Sequence, residues 1–523
     1  MHLLRHHPGK PDPLQRWATY LIKPVNGTSL AVFRILFGSL LLWEVLRYFQ
    51  HGWIEQYYIQ PTFHFTYPFL DIVRPWPGHG MYIHFTIMGV LALLIALGLF
   101  YRAAAGLFFL AFAFVFLLDK AYYLNHFYLI VLLSFLLCLT PAHHVWSLDR
   151  WLFFRTRVPL APWWSVLILR TQVFIVYFYA GLAKLNGDWL QGEPMGMWLA
   201  ERTDFPIIGS AFTQKSMVLL FAYGGLLFDL SIGFLLAWRR SRLLAFSLAG
   251  VFHLINSQLF SIGIFPFLAF GATLIFAEPD CPQRALSNLG LFLARFGIPY
   301  QKSSVLHLPP GPIVSPSRQS STAPAMLILI HLYLTVQLLI PLRHLLYPGN
   351  VNWTEEGHRF SWHMKLRDKK AILHIYITHP HTGETWEVSP AVDLSARQVD
   401  EMETRPDMVV QYAHYLAEKF SAAGQPHLII RVDHRVSLNG RPYQPLIDPA
   451  VNLAEVSLGV GSADWLLPLT APLYPQMSTT SESHRTHAVG AEIGVLATLC
   501  RQAFALCATF SGFSASTAQL LSQ

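Results

Sequence analysis

The chain has 523 residues, 53% of them hydrophobic and only 13% charged, where soluble globular proteins carry about 25% charged residues. That deficit excludes a disordered chain and argues against an ordinary soluble enzyme. The formal net charge of +7 is diluted by acids, so the basic surplus reads as membrane topology rather than as a nucleic-acid surface. Four cysteines are too few for a disulfide scaffold and lack any spacing that would seat zinc.

In chain order, residues 1–28 form a polar, proline-bearing segment with no cleavable leader visible, expected on the cytoplasmic side. Nine apolar stretches follow, at 29–49, 80–100, 103–118, 122–141, 163–185, 216–237, 241–258, 260–277 and 324–346. Each approaches the roughly 20 helical residues needed to cross a bilayer. The block 80–118 is broken mainly by Tyr101-Arg102, and the block 241–277 is divided near Gln258 because its length fits two spans. Basic residues alternate in support of this threading. Arg102, the Arg150–Arg157 group, the Arg239–Arg242 group and the Arg284–Arg318 group fall inside, whereas Arg74, Lys120, Arg202 and Lys215 fall outside. An odd span count puts everything after 346 on the periplasmic, extracellular or lumenal side.

The fold expected is an all-α polytopic membrane bundle over 29–346, followed by a small α+β extramembrane domain over 347–475. Residues 302–323 read as a Ser/Pro-rich inner loop. Ile372–Thr378 and Thr385–Val388 resemble a strand pair across His381-Thr382-Gly383. Met408–Phe420 has helical periodicity. His427–Val432 and Val436–Pro445 read as strands, with Asn439-Gly440 as a type I′ turn signal. Residues 476–523 read as a mobile tail in which 489–509 forms a weak amphipathic helix. No internal repeat is visible.

Charged and polar residues within spans cost about 2.5–3.5 kcal/mol at a helix centre on insertion scales, so each invites an explanation. Lys184, at the outer end of the fifth span, reads either as an interfacial lysine snorkelling beside Asp188 or as an amine held uncharged by apolar surroundings so that it can act as a base. Tyr177 and Arg170 precede it on the same helical face. Arg170 lies about 21 Å from it along the axis and reads as structural. Asn125-His126 opens the fourth span, as a cap or as part of a site at the same depth as Lys184. His253, Asn256 and Ser257 share a face of the seventh span, with Gln258 following, as inter-helix glue or as site residues. Asp229 is an intramembrane acid that Arg34 of the first span could neutralise, in a structural role. Lys184, His126 and the 253–258 group come from three spans yet fall at one membrane depth, on the side of the extramembrane module. Such a cavity, open to lipid and covered by the module, suits a lipid-soluble reactant meeting a water-soluble one.

At these residues the sequence resembles the vitamin K-dependent gamma-glutamyl carboxylase family. The resemblance is carried by Ser29–Gly38, Phe116–Lys120, Asn125-His126, Leu169–Phe178, Lys184–Trp189, Asp229–Leu236 and Asn256–Gly263. In the module it continues through Asn352-Trp-Thr354, Phe360-Ser-Trp362 and Ile447-Asp-Pro449. It covers roughly residues 25–470, and the run 256–263 is the most family-specific.

The resemblance implies a membrane enzyme in which reduced vitamin K is deprotonated and reacts with oxygen. The strongly basic product removes a proton from the gamma carbon of a peptide glutamate, carbon dioxide adds, and the quinone leaves as its epoxide. A carbon beside a carboxylate is too weak an acid for any side chain, whereas a quinol hydroxyl resembles a phenol of pKa about 10. The protein thus supplies a modest base and the cofactor the strong one. By position Lys184 matches the family's base and His126 its essential histidine, with Asn125 beside it. Tyr177, His253, Asn256, Ser257 and Gln258 are the implied cofactor contacts, and Trp353, His358 and Trp362 the implied substrate contacts. No metal and no nucleic acid are implied.

The chain also departs from the family pattern. The first of two adjacent lysines in animal members is Ala183. His358 and His363 stand where a tyrosine and an aspartate are expected. The disulfide joining the two parts in animal enzymes has no cysteine partners, and the outer domain is shortened, as in bacterial relatives. Asn352-Trp-Thr354 is a glycosylation sequon usable only in a secretory-pathway host. Three readings follow: a carboxylase/epoxidase acting on a glutamate-containing peptide or protein, a quinol oxygenase with a different acceptor or none, and a transporter or structural protein on the same scaffold.

Overall fold

The computed structural model describes residues 13–154, 159–296, 323–459 and 463–473. The expected mobile tail 476–523 and almost all of the Ser/Pro-rich loop fall outside the described residues.

Helices occupy all nine apolar stretches. They are α1 (Thr28–Gln50), α2 (Gly80–Leu97), α3 (Tyr101–Leu118), α4 (Asn125–Leu139), α5 (Trp163–Ala183), α6 (Lys215–Ala237), α7 (Arg242–Leu259), α8 (Phe265–Thr273) and α9 (Ala323–Leu339), the last running on as a 3-10 turn over Ile340–Leu346. Among the described residues six are long and apolar enough to cross a membrane: α1, α2, α3, α5, α6 and the stretch Met326–Leu346. The chain is therefore a multi-pass membrane protein, but the count of nine full spans is not met. Helix α4 has 15 residues and α8 only 9. Helix α7 has the length but begins on Arg242 and ends through Asn256-Ser-Gln, which dilutes its apolar character.

Local chemistry sets the helix ends. The break between α2 and α3 falls at Gly98, earlier than Tyr101-Arg102, because Gly98 takes φ 66° and closes α2 with a left-handed cap. The Asp149 carboxylate then accepts the Phe100 and Tyr101 amides at 2.7 and 2.9 Å, satisfying the first donors of α3. Arg34 is fully buried in α1. Its guanidinium donates to the carbonyls of Ile95 and Ala96 at the end of α2, and to those of Ala142 and Trp146. All three guanidinium nitrogens of Arg34 thus donate to backbone carbonyls, which corrects the expectation that it neutralises Asp229.

The module is an antiparallel sheet of β1 (Lys369–Thr378), β2 (Thr385–Val388), β3 (Ile429–Leu438) and β4 (Gln444–Pro445), in the order β2-β1-β3-β4. Helices α10 (Ala396–Glu403) and α11 (Pro406–Ala422) cover one face. Met408, Tyr412 and Leu416 of α11 bury against Ile375, Ile377, Ile430 and Val432. Strand β3 runs unbroken through Asp433-His-Arg435, where sequence had suggested a gap. His434 keeps the inward alternation and donates from Nε2 to the Glu403 carbonyl at 2.7 Å. Asn439 and Gly440 take φ 52° and 78° in the expected turn.

The module is keyed to one end of the helices. Phe65 and Ala121, from the α1–α2 and α3–α4 connections, sit in the module's own core. Lys120 pairs with Asp407 at 2.8 Å. Arg441 grips Asp188 with two bonds of 2.6 Å, and Asn439 adds a third at 2.7 Å. Asp188 is therefore committed to the module and not to Lys184.

Close helix contact depends on Gly38 of α1, where a Cβ would stand 2.6 Å from the Ala96 nitrogen and 2.9 Å from the Ala92 oxygen of α2. Backbone atoms cannot yield as a side chain would. Gly38→Ala is expected to lower the thermal midpoint of the detergent-solubilised protein, whereas Gly106→Ala, whose Cβ meets nothing within 4 Å, leaves it unchanged. Equal midpoints would show that the α1–α2 contact relaxes freely.

Candidate active site

A cavity of about 340 Å³ lies among the ends of α5, α6, α7 and α8 nearest the module. Its walls are mostly apolar. Polar side chains enter from Lys184 just past α5, Tyr177 within α5, Asp229 of α6, and His253 and Asn256 of α7. Met364 and Lys365 close it from the module side. On one flank it runs between α6 and α7, where Leu220 and Ile255, both exposed, and Gly224 form its wall. That flank is apolar surface of the helical part, so the cavity is reached sideways as well as from the module.

Lys184 is the C-cap of α5 and 6% exposed. Its Nζ donates to Asp229 Oδ2 at 2.7 Å and to the Ala180 carbonyl at 3.2 Å, and it lies 5.2 Å from the Trp189 ring centre. The amine is therefore neither a snorkelling surface lysine nor a lone base in grease. It is half of a buried ion pair, because Asp229, one of the few acids inside the helical part, would otherwise be a carboxylate without a partner. Helices α5 and α6 approach closely enough for this because Gly181 lets Leu230 in; a Cβ there would stand 2.8 Å from the Leu230 nitrogen.

Tyr177 Oη and His253 Nε2 are 2.7 Å apart, and both side chains are buried. His253 Nδ1 has no hydrogen-bond partner among the described residues. These two groups form a second polar pair on the cavity wall, and Asn256, one turn on from His253, also lines it. Ser257 and Gln258 do not line it: Ser257 bonds the Leu254 carbonyl and Gln258 bonds Ser257. Ser257, expected on one face with His253 and Asn256, and Gln258, expected to follow them into the site, are thus outside the cavity wall.

His126 stands behind the cavity rather than in its wall. Its ring packs on Phe127 and lies 5.9 Å from the ring of Phe265, which does line the cavity. Asn125 is a brace. It accepts from Tyr123 Oη at 3.1 Å and donates to the His363 carbonyl at 3.1 Å, tying α4 to the segment that roofs the cavity. Arg170 binds the Ile275 and Ala277 carbonyls, in keeping with a structural role.

The roof is conformationally costly. Glu355, Phe360, Trp362 and Lys365 all take positive φ, between 51° and 65°, a region that costs non-glycine residues about 1–3 kcal/mol each. Neighbours hold it there. The Phe360 amide donates to Tyr123 Oη at 2.7 Å, and Trp362 stacks on Tyr128 at 4.9 Å. Arg343 donates to the Arg359 carbonyl at 2.5 Å. Arg367 clamps the buried Glu355 carboxylate with two bonds of 2.6 and 2.7 Å, and Lys369 adds one at 3.2 Å. Burial pushes the Glu355 carboxyl up, but Arg367, Lys369 and Arg405 outweigh it and hold it below the ordinary range.

Trp353, His358 and Trp362 line neither this cavity nor the larger chamber of about 940 Å³ on the module side, which Lys120, Arg343, Arg359, Glu355 and Asp407 border. Trp353 is module core, with Nε1 bonded to the Leu467 carbonyl. His358 Nε2 accepts from Arg367 at 2.9 Å. Burial, then Arg367, drives its pKa well below the ordinary value, so it is a neutral part of the Glu355 cluster. The tie of Asp229 to Lys184 was not legible in the sequence. No short motif joins residues 45 positions apart, although an intramembrane acid and an intramembrane base invite the pairing.

Two family comparisons match. Residues 22–281 match the HTTM domain, and residues 322–472 match the vitamin K-dependent gamma-carboxylase lumenal domain. No solved structure matches the chain.

The ion pair has a thermodynamic signature. Removing either member alone leaves a buried charge, at a cost of about 3–5 kcal/mol. Asp229→Leu and Lys184→Met should each lower stability markedly, whereas the double variant Lys184→Met/Asp229→Leu should recover most of the loss. Simple additivity in that cycle would mean that the two groups do not interact.

Proposed function

The chain belongs to the vitamin K-dependent gamma-glutamyl carboxylase family, and we propose that its membrane cavity is the active site of a vitamin K hydroquinone-dependent carboxylase/epoxidase. The observation that carries this reading is the buried Lys184–Asp229 pair in a mostly apolar cavity with a lateral apolar flank and an extramembrane roof. The residues present fit a quinol. A flat apolar ring with two hydroxyl groups suits apolar walls interrupted by two polar pairs, Lys184–Asp229 and Tyr177–His253. When bound, the reduced quinone supplies, with oxygen, the strong base that a carbon acid requires, and it leaves as the epoxide.

The chain's own groups do the modest work. Lys184 takes the proton of the quinol hydroxyl as it passes one of its own to Asp229 Oδ2 across their 2.7 Å bond. The resulting ammonium would remain in the cavity wall, where it could balance a negative charge on a bound quinol. Tyr177 and His253 hold the second hydroxyl through an atom left free by their mutual bond. His126 sets the position of Phe265 against the ring, and Asn125 keeps the roof closed over it. Met364 and the apolar walls would limit the water near the reacting atoms, so a strong base formed there is less readily quenched.

A second reading has specific support. His358 is locked into the Glu355 cluster and Trp362 is stacked on Tyr128, away from both cavities. The groups expected to contact a glutamate substrate are thus spent internally. This favours quinol epoxidation with an acceptor other than peptide glutamate, or with none.

Purified protein given reduced vitamin K, a glutamate peptide and labelled bicarbonate distinguishes these readings. Epoxide with label in the peptide is the expected result. Epoxide without label leaves the second reading, and epoxide formation that survives Lys184→Ala removes both. A small added amine should restore part of the activity lost in Lys184→Ala. The lateral flank has its own test. Gly224→Phe places a ring where a Cβ meets nothing within 4 Å, and it should raise KM for the quinol far more than KM for the acceptor. An unchanged quinol KM would close that route.

A further inference from the structure

The cavity holds two amines, and only one has a counter-ion. Lys184 is balanced by Asp229 at 2.7 Å. Lys365 enters from the roof, and its Nζ lies 4.9 Å from the ring centre of Trp198 and 5.2 Å from that of Phe260, both cavity residues. Among the described residues Lys365 makes no ion pair and no hydrogen bond. The nearest acids are otherwise placed. Asp368 accepts the Trp198 indole N–H at 3.0 Å and Glu201 is on the protein's exposed surface. Lys365 also has φ 51°, a conformation that long side chains seldom adopt, so the backbone is bent to deliver this ammonium to the cavity. Lys365 is exposed at the cavity rim; partial desolvation of its ammonium against the two rings draws its pKa below the ordinary lysine value, with Asp368 and Glu201 pulling the other way.

An ammonium resting on two aromatic faces keeps its charge without a fixed carboxylate, and an anion can still approach it. Summed over its lining side chains, the cavity therefore has one uncompensated positive charge. We propose that Lys365 is the anion-binding residue of the membrane cavity and receives a ligand oxyanion, a carboxylate or an ionised quinol hydroxyl, bound in the space that Lys184 also lines. The two sources share one chemistry. Entry from the module side, where Lys365 sits, favours the carboxylate of an acceptor; generation within the cavity favours the quinol oxygen. The proposal rests on the carboxylase/epoxidase reading for the identity of the ligand, not for the existence of the anion site.

The test uses the full-length protein in detergent. Glutarate is titrated against intrinsic tryptophan fluorescence, with uncharged glutaramide as control and Trp198→Phe to identify the reporting ring. Glutarate should change the Trp198 signal and glutaramide should not. Lys365→Met should abolish the response and Lys365→Arg should keep it. In turnover with a blocked glutamate dipeptide, Lys365→Met should raise the dipeptide KM at least tenfold, with a smaller change in kcat, if the carboxylate is the ligand. If the quinol oxygen is the ligand, the dipeptide KM stays put and the pH profile of epoxide formation moves to higher pH. A glutarate response that survives Lys365→Met, or one that glutaramide reproduces, overturns the proposal. A Lys365-dependent response in a protein without turnover removes the proposed function and leaves the anion site standing. Turnover whose dipeptide KM and pH profile both ignore Lys365→Met does the reverse.

Discussion

A carboxylate and an ammonium 2.7 Å apart, both buried and both inside the helical part of a membrane protein, impose a condition that the surrounding structure has to meet. Each ion alone would carry a desolvation penalty of several kcal/mol. Only their contact makes the site tolerable, and the contact exists because α5 and α6 pack backbone to side chain. Gly181 admits Leu230, and Gly233 admits the ring of Phe174, where a Cβ would stand 2.4 Å from the ring edge. Small residues at helix crossings are the usual means of close approach where lipid supplies no hydrophobic drive. Here they also set the distance across which a proton can pass.

The second constraint is the roof. Four left-handed non-glycine residues within eleven positions would not persist in a free loop. They persist because the segment is tied from both sides. Tyr123 and Asn125 hold it from the start of α4, and Arg367 and Lys369 hold it through Glu355. Those ties in turn need the module fixed on the helices, which Lys120–Asp407 and Arg441–Asp188 provide. Strain in the segment is thus balanced by ion pairs well away from the cavity, and side chains such as Met364 and Lys365 gain fixed positions over it.

Much of this was legible in the sequence. Every apolar stretch became a helix, the β1–β2 pair and the Asn439-Gly440 turn formed as read, and Lys184, Tyr177, His253 and Asn256 share one cavity. The misses have physical causes. Hydropathy marks apolar length and cannot tell a full span from a short helix packed inside the bundle, as with α4 and α8. Period-two alternation broke at His434 because a histidine looks polar in sequence, although it is buried with a carbonyl partner. Pairing of Asp229 with Arg34 was plausible from charge alone, but Arg34 is consumed by four carbonyls at helix ends, which no side-chain pattern advertises. Lys365 lies in the run His363-Met-Lys-Leu-Arg-Asp-Lys-Lys370, which reads as a solvated surface. The residue is indeed exposed, and only the structure shows that it also borders the cavity.

These pieces bear on why one cavity should have both a neutral ion pair and a free cation. A pair that is neutral overall can bind a neutral quinol without a large electrostatic cost, because no net charge has to be matched at entry. Proton transfer to the pair then creates an anion in surroundings of low dielectric, where an unbalanced charge interacts strongly with any fixed cation. Lys365, resting on Trp198 and Phe260 on the exposed rim of the cavity, is held where it could meet that charge or the carboxylate of an acceptor. The same cation would make the empty cavity less favourable for a purely apolar lipid. On the proposed function, charge placement would discriminate at the step of proton transfer or acceptor binding, while the apolar flank at Leu220, Gly224 and Ile255 would leave entry from the membrane open.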